Sequence, residues 1–135
     1  MRFRCTLIMF ALVALVGCPN GKPKGDLPPL HPVKGKVVRG SLPVSGGSIR
    51  FVAEPESPDL MITSDIRSDG TFELQTIHAL SQKSGAGAPA GTYKVTYTPP
   101  LGDQTAGGVI TIVELTQRSI VKEGPNDLTV EVGKK

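Results

Sequence analysis

Short runs of alternating apolar and polar residues, each ended by glycine or proline, fill the chain from Pro32 onward. The clearest run is Thr92-Tyr93-Lys94-Val95-Thr96-Tyr97-Thr98, which two prolines stop at once. A period of two is typical of a half-buried β-strand, because successive side chains of a strand point to opposite faces. No run after Cys18 has the spacing of an amphipathic helix. The pattern predicts an all-β domain of seven to eight short strands, a β-sandwich or barrel.

The predicted strands are separated by recognisable turns. Ser68-Asp69-Gly70 predicts a tight hairpin turn, and residues 81–89, rich in Gly, Ala and Ser, predict a long exposed loop. The strands are predicted at residues 31–39, 48–54, 60–67, 71–75, 92–98, 109–115 with a continuation at 119–121, and 128–132. The predicted core is Val33, Val37, Ile49, Phe51, Phe72, Leu74, Tyr93, Val95, Tyr97, Leu128, Val130 and Val132.

The first residues form a processing signal and not part of the domain. Arg2 and Arg4 precede an apolar run over residues 7–16, which is too short for the roughly 18–20 residues that cross a bilayer. The run ends in Leu15-Val16-Gly17-Cys18, which resembles the lipobox of bacterial lipoproteins. The resemblance implies a diacylglyceryl group on the Cys18 sulfur and cleavage before Cys18. Two or three acyl chains would anchor the protein to a membrane without spanning it.

Processing changes the charge balance of the working protein. The chain has 15 basic and 12 acidic residues, and loss of Arg2 and Arg4 would leave 13 basic against 12 acidic. So small an excess gives no electrostatic surface for nucleic acid, and we expect no nucleic-acid partner. Cys5 would also be removed, so the mature domain would hold no disulfide. Pro19 stands where inner-membrane retention in many Gram-negative bacteria prefers Asp, so we expect the outer membrane, on its periplasmic or surface face.

Three segments follow from these patterns. Residues 1–17 are the predicted signal peptide, residues 18–31 carry the lipid and form a Pro/Gly tether, and residues 32–135 form the β-domain. The alternative for the tether is that Leu27 and Leu30 pack on the edge of the domain.

Three motifs in order carry a resemblance to a known family. They are Val33-Lys34-Gly35-Lys36-Val37, Ser68-Asp69-Gly70-Thr71-Phe72 and Pro89-Ala90-Gly91-Thr92-Tyr93-Lys94-Val95. Together with the ending at residues 123–130 they resemble the carboxypeptidase regulatory-like domain of small bacterial lipoproteins. The resemblance implies a transthyretin-like Greek-key sandwich with an accessory, non-catalytic role. Residues 101–121 depart from the family pattern.

Candidates for catalysis are few, and we expect no enzyme and no cofactor. His31 and His78 are the only histidines, and their surroundings in sequence predict solvated or turn-associated side chains. One transthyretin-like hydrolase family, hydroxyisourate hydrolase, uses histidines, an arginine and a C-terminal Tyr-Arg-Gly-Ser. This chain ends instead in Val132-Gly133-Lys134-Lys135.

Two binding hypotheses rest on particular side chains. Asp65, Asp69 and Asp103 carry the carboxylates that calcium prefers, but they are scattered, and Asp69 is explained by its turn, so no metal site is predicted. Tyr93 and Tyr97 would make a platform for a sugar if exposed, but their alternation places them with Val95 in the core.

Residues 109–115 are apolar on both faces until Glu114. Such a strand is either covered inside the domain or lies at an interface. In the second case Ile110 and Ile112 would form an interaction edge that accepts a strand from a partner. The sequence thus leaves two functions open: a lipid-anchored interaction or structural module that meets an envelope protein or polymer, and a module that binds carbohydrate or another small ligand.

Overall fold

A computed structural model describes residues 25–103 and 110–133, and of Asp103 only the backbone. The predictions for the signal peptide, for Leu15, Val16 and Gly17 of the lipobox, and for Cys18 lie outside the described residues. Among the described residues, no helix has the length and apolar character needed to cross a bilayer.

The described residues form strands joined by short turns, as the alternating patterns predict. A single turn of 3-10 helix at Leu101–Asp103 is the helical element among them. The strands are β1 (Val33–Arg39), β2 (Leu42–Pro43), β3 (Ser48–Glu54), β4 (Leu60–Asp65), β5 (Thr71–Glu73), β6 (Gln75–His78), β7 (Ser84–Ala86), β8 (Gly91–Thr98), β9 (Val113–Val121) and β10 (Asn126–Glu131).

The strands form two sheets. The larger sheet has six antiparallel strands in the order β7-β6-β4-β3-β8-β9. In the smaller sheet, β1 pairs in parallel with β10 along one side and antiparallel with β5 and β2 along the other. The predicted all-β class is confirmed, and the arrangement is that of a β-sandwich.

One apolar core joins the two sheets. Phe51 of the larger sheet contacts Phe72 of the smaller sheet with ring centroids 6.2 Å apart. Of the predicted core residues, Leu128 is half-buried and all the others are buried. Each large apolar side chain that is fully buried contributes about 1.5–3 kcal/mol to stability. Six further apolar residues that were not predicted as core are also buried: Val44, Ile62, Ile66, Ala88, Leu115 and Val121.

Leu74 divides what the sequence predicts as one strand. Before it, β5 pairs with β1, and after it, β6 pairs with β4. The amide of Leu74 donates to the carbonyl of Val33 at 2.9 Å, and its carbonyl accepts from the amide of Gly87 at 2.7 Å. The chain therefore crosses from the smaller sheet to the larger one at Leu74, while its apolar side chain stays in the shared core.

The predicted Asp-Gly turn is present as a three-residue loop of Ser68, Asp69 and Gly70. The amide of Arg67 donates to the carbonyl of Thr71, and the amide of Gly70 donates to the carbonyl of Arg67, each at 2.9 Å. Gly70 alone in this loop has a positive φ, +83°. The positive φ at Gly70 directs the chain back toward β1, whose Val37 amide donates to the Gly70 carbonyl at 2.8 Å.

The prediction of a long exposed loop at residues 81–89 is wrong over its second half. Residues 84–86 form β7, and Gly87 and Ala88 are buried. Gly87 has a φ of +97°, and a Cβ atom there would collide with the backbone of His31. The small residues of this stretch therefore allow a close approach of backbones, which composition alone does not distinguish from flexibility.

The predicted strand at residues 109–115 is also displaced. The strand β9 begins at Val113 and continues without a break to Val121, so the continuation predicted at 119–121 belongs to it. Ile110 and Ile112 precede the strand.

Candidate interaction edge

The strand β9 ends the larger sheet. Within the described residues it pairs with β8 on one side and has no strand partner in that sheet on the other. The free side of an edge strand presents N–H and C=O groups that a further strand can use. Among the strands that the structure describes, β9 therefore has the position of an edge strand.

Exposed isoleucines lie on and beside this edge. Ile112 is 64% exposed and Ile110 is 59% exposed, just before the strand, and Ile120 is 57% exposed near its end. Leu115 and Val121 are buried, with exposures of 5% and 2%. The strand thus turns one apolar set into the core and leaves other isoleucines in solvent. Ile120 was not predicted as an exposed residue of the edge, although alternation continued past the buried Leu115 places it on the outer face.

Charged side chains on the outer face connect β9 to β8 and β3. The Arg118 Nε donates to Glu54 Oε2 at 2.8 Å. The Lys94 Nζ lies 3.8 Å from a carboxylate oxygen of Glu54 and 3.8 Å from one of Glu114. Such exposed pairs contribute at most about 1 kcal/mol each. They link the solvent face of β9 to the solvent faces of β8 and β3.

A bulge interrupts the pairing of β8 with β9. Lys94 is opposite Arg118 and Thr96 is opposite Glu114, so β9 has two more residues than β8 between these pairs. Two extra residues preserve the alternation, and Glu114 and Arg118 therefore share one face. A bulge increases the local twist of an edge strand.

The opposite edge of the larger sheet, at β7, is contacted by the end of the predicted tether. His31 and Ala88 exchange two backbone hydrogen bonds, of 2.9 and 3.0 Å. The Ser81 hydroxyl donates to the Gly25 carbonyl at 2.6 Å, and Lys83 pairs with Asp26. Leu30 and Leu27 lie close to the backbone of Gly85. Residues 25–31 therefore pack on the domain, as the alternative for the tether proposed, and contact one edge while β9 lies at the other.

Both histidines accept hydrogen bonds from the backbone. His31 Nδ1 accepts from the amide of Gly124 at 3.1 Å, and His78 Nδ1 accepts from the amide of Ser81 at 3.3 Å. His78 is turn-associated as predicted, but it is buried and not solvated. His31 thus holds the loop after β9, and His78 holds the loop after β6.

Asp69 is occupied by its own turn. Its Oδ1 accepts from the Thr71 hydroxyl at 2.6 Å and from the Thr71 amide at 3.0 Å. These two hydrogen bonds lower the pKa of the Asp69 carboxyl from its ordinary value. The described residues contain no group of three potential metal-ligating side chains, and the Asp103 side chain is not among them.

The tyrosines are core residues, as predicted. Tyr93 is 2% exposed and Tyr97 is 1% exposed, so neither can stack on a sugar. The Tyr93 hydroxyl donates to the Pro89 carbonyl at 2.6 Å, and burial raises the pKa of Tyr93.

An open cleft of about 770 Å³ lies where the packed tether meets the β3–β4 connection. Asp26 and Leu27 form one side, Glu56 and Asp59 the other, and His78 also lines it. Its carboxylates favour a cationic or hydroxyl-rich small ligand over an anion.

Comparison of the chain with known protein families, with curated proteins and with solved structures finds no match.

Proposed function

We propose that this chain is a lipid-anchored protein of the cell envelope whose β-sandwich is a non-catalytic interaction module. The anchor is the predicted lipid on Cys18, and the contact surface is the free side of β9. The observation that carries the proposal is the position of β9 at the end of the larger sheet, next to exposed Ile110 and Ile112. An edge strand recruits a partner through its backbone groups, and the exposed isoleucines would add an apolar contact.

The proposal includes the carboxypeptidase regulatory-like, transthyretin-like Greek-key type. Its support is the order of the three motifs in the fold. The first lies on β1, the second forms the loop before β5, and the third leads into β8. The transthyretin-like hydrolase remains the weakest candidate, because both histidines accept hydrogen bonds from loop amides.

A module for a small ligand is the second candidate. The cleft beside Asp59 and His78 favours it, since its volume of about 770 Å³ has room for a small ligand. The described lining contains no aromatic side chain of the kind that usually stacks on sugars.

The experiment is site-specific photocrosslinking in intact cells. A photoreactive amino acid replaces Ile112 at the edge, and in a matched chain it replaces Leu42, which is 70% exposed on β2 of the other sheet. We expect a discrete crosslinked product from Ile112 and none from Leu42. No product from Ile112, or the same products from both positions, would overturn the proposal.

A further inference from the structure

The outer face of the edge has a sequence that is complementary to itself. Ile112 precedes β9, and Glu114, Thr116, Arg118 and Ile120 follow on alternate positions of the strand, all of them exposed. On the outer face, the residues nearest to Thr116 are an acid and a base, Glu114 and Arg118. The next on either side are two isoleucines, Ile112 and Ile120. The pattern reads the same in both directions except that the charge changes sign.

A self-complementary pattern of this kind is what two copies of a strand need in order to pair antiparallel about a two-fold axis. When a strand pairs antiparallel with its own copy, residues equally distant from the centre lie opposite each other on the same face. A centre at Thr116 places Ile112 opposite Ile120 of the second copy and Glu114 opposite Arg118. Each of these pairs occurs twice, because a two-fold interface uses the same surface on both copies.

We infer that the free side of β9 takes β9 of a second copy of this chain, antiparallel, in the register centred on Thr116. The inference rests on the proposed function, whose contact surface it uses, and adds the identity of the partner. The pairing joins the two larger sheets into one continuous sheet.

Neighbouring registers with the same face outward are less favourable. A centre at Leu115 places Ile112 opposite Arg118, and a centre at Gln117 places Glu114 opposite Ile120. Each of these registers puts a charge against an isoleucine. Opposite charges across a strand pair stabilise it, and like charges destabilise it. The charges therefore select the register at Thr116.

The ion pairs within one copy are compatible with this register. Glu54 and Lys94 hold Arg118 and Glu114 on the outer face, where each would meet a residue of opposite charge from the second copy. The bulge lies at the centre of the interface in both copies, so the backbone hydrogen bonds come from the segments on either side of Thr116.

The anchor also favours pairing at this edge. Residues 25–31 contact the domain at β7, which lies at the opposite end of the larger sheet from β9. Residues 25–31, the described part of the segment that follows Cys18, therefore do not cover β9. Confinement to a membrane raises the effective concentration of one copy near another.

The test exchanges charges on β9 in the full chain. Each protein is extracted from membranes, and its oligomeric state is measured by sedimentation in detergent. We expect a dimer for the unsubstituted chain. Glu114→Arg alone and Arg118→Glu alone each place like charges opposite each other twice. The dimer affinity of each variant should therefore fall by at least about tenfold. An equimolar mixture of the two variants restores both opposite-charge pairs and should recover the dimer. Glu73→Arg, exposed on β5 of the other sheet, is the matched control and should dimerise like the unsubstituted chain.

A second variant tests the register independently of the charges. Thr116→Cys places a thiol opposite itself across the two-fold axis and should give a disulfide-linked dimer on mild oxidation. Lys36→Cys, on the exposed face of β1, should give no disulfide-linked dimer. The unsubstituted chain is the control for any disulfide formed by Cys5 or Cys18. No disulfide dimer from Thr116→Cys, a monomeric unsubstituted chain, or a mixture that fails to recover the dimer would overturn the inference. If the photoreactive amino acid at position 112 then crosslinks a different protein, the proposed function stands and the self-pairing of β9 fails. If it crosslinks nothing, the proposed function and the self-pairing both fail.

Discussion

Phe51 and Phe72 meet between the two sheets with their rings tilted by 45°. Phe51 belongs to β3 and Phe72 to β5, so this contact joins the layers at the centre of the core. Tyr93 adds a second ring, 5.9 Å from Phe51. The three rings are all at most 2% exposed, so removing one of them would leave a cavity in a closely packed core.

Phe72→Ala is therefore expected to destabilise the protein by about 3–5 kcal/mol, through lost burial and the cavity that remains. Chemical denaturation of the full chain measures the change in the free energy of unfolding. Thr71→Ala, the neighbouring residue on the outer side of β5, should cost less than about 1.5 kcal/mol, since it loses a hydrogen bond to Asp69 and little packing. Equal losses at the two positions would contradict the assignment of faces on β5.

The turn at Gly70 predicts a contrast between two glycines. Gly70 and Gly40 both have positive φ, +83° and +67°, and an alanine at either is strained by about 1–2 kcal/mol. At Gly70 the added Cβ atom would also lie 2.9 Å from Pro43 Cβ, whereas nothing lies within 4 Å at Gly40. Gly70→Ala should thus lower the melting temperature clearly more than Gly40→Ala. Equal shifts would mean that the φ angle alone explains Gly70.

The lowered pKa of Asp69 predicts a pH dependence. Because the folded state holds this carboxyl below its ordinary pKa of 3.8, ionised Asp69 stabilises the fold fully above that pH. The contribution is lost as pH falls through the lower pKa of the folded state. Asp69→Asn should therefore melt below the unsubstituted protein at pH 7, and the difference should shrink from about pH 4 downward. A difference in melting temperature that is constant from pH 7 to pH 2.5 would show that the charge has no part in it.

The strand pattern and the core follow from the sequence because a period of two directly encodes which side chains face inward. The route of the chain between sheets does not. At Leu74 both the preceding and the following residues alternate correctly, and only the hydrogen bonds of its backbone show that the sheet changes there. Likewise, glycine at 87 is needed because the backbone of His31 approaches, a partner 56 residues away in the chain. The role of β9 as an edge depends on the order of strands, which local patterns do not contain.

The lipobox predicts the behaviour of Cys18. Mass spectrometry of the membrane-extracted protein should find an acylated Cys18 as the first residue. Cys18→Ala should leave the chain unprocessed at this position and without the acyl chains that anchor it. Recovery of an unlipidated mature protein from the soluble fraction, with the same distribution for Cys18→Ala, would contradict the anchor.

The last prediction separates the two faces of β9 with one type of substitution. Ile112→Lys places an ammonium group at a position that is 64% exposed, so the free energy of unfolding should change by no more than about 0.5 kcal/mol. Leu115→Lys places the same group where the native side chain is 5% exposed, and an uncompensated charge in the core should cost more than about 3 kcal/mol.

Melting curves and sedimentation of both variants test this together. A lysine on an edge blocks strand pairing without disturbing the core, so Ile112→Lys should remain folded while self-association is lost. Leu115→Lys should instead unfold or fail to accumulate, because its ammonium group would replace a side chain of the buried apolar cluster. If Ile112→Lys unfolds as Leu115→Lys does, Ile112 belongs to the core and the interaction edge cannot be where the larger sheet ends. If Ile112→Lys folds and still associates, a surface other than β9 makes the contact.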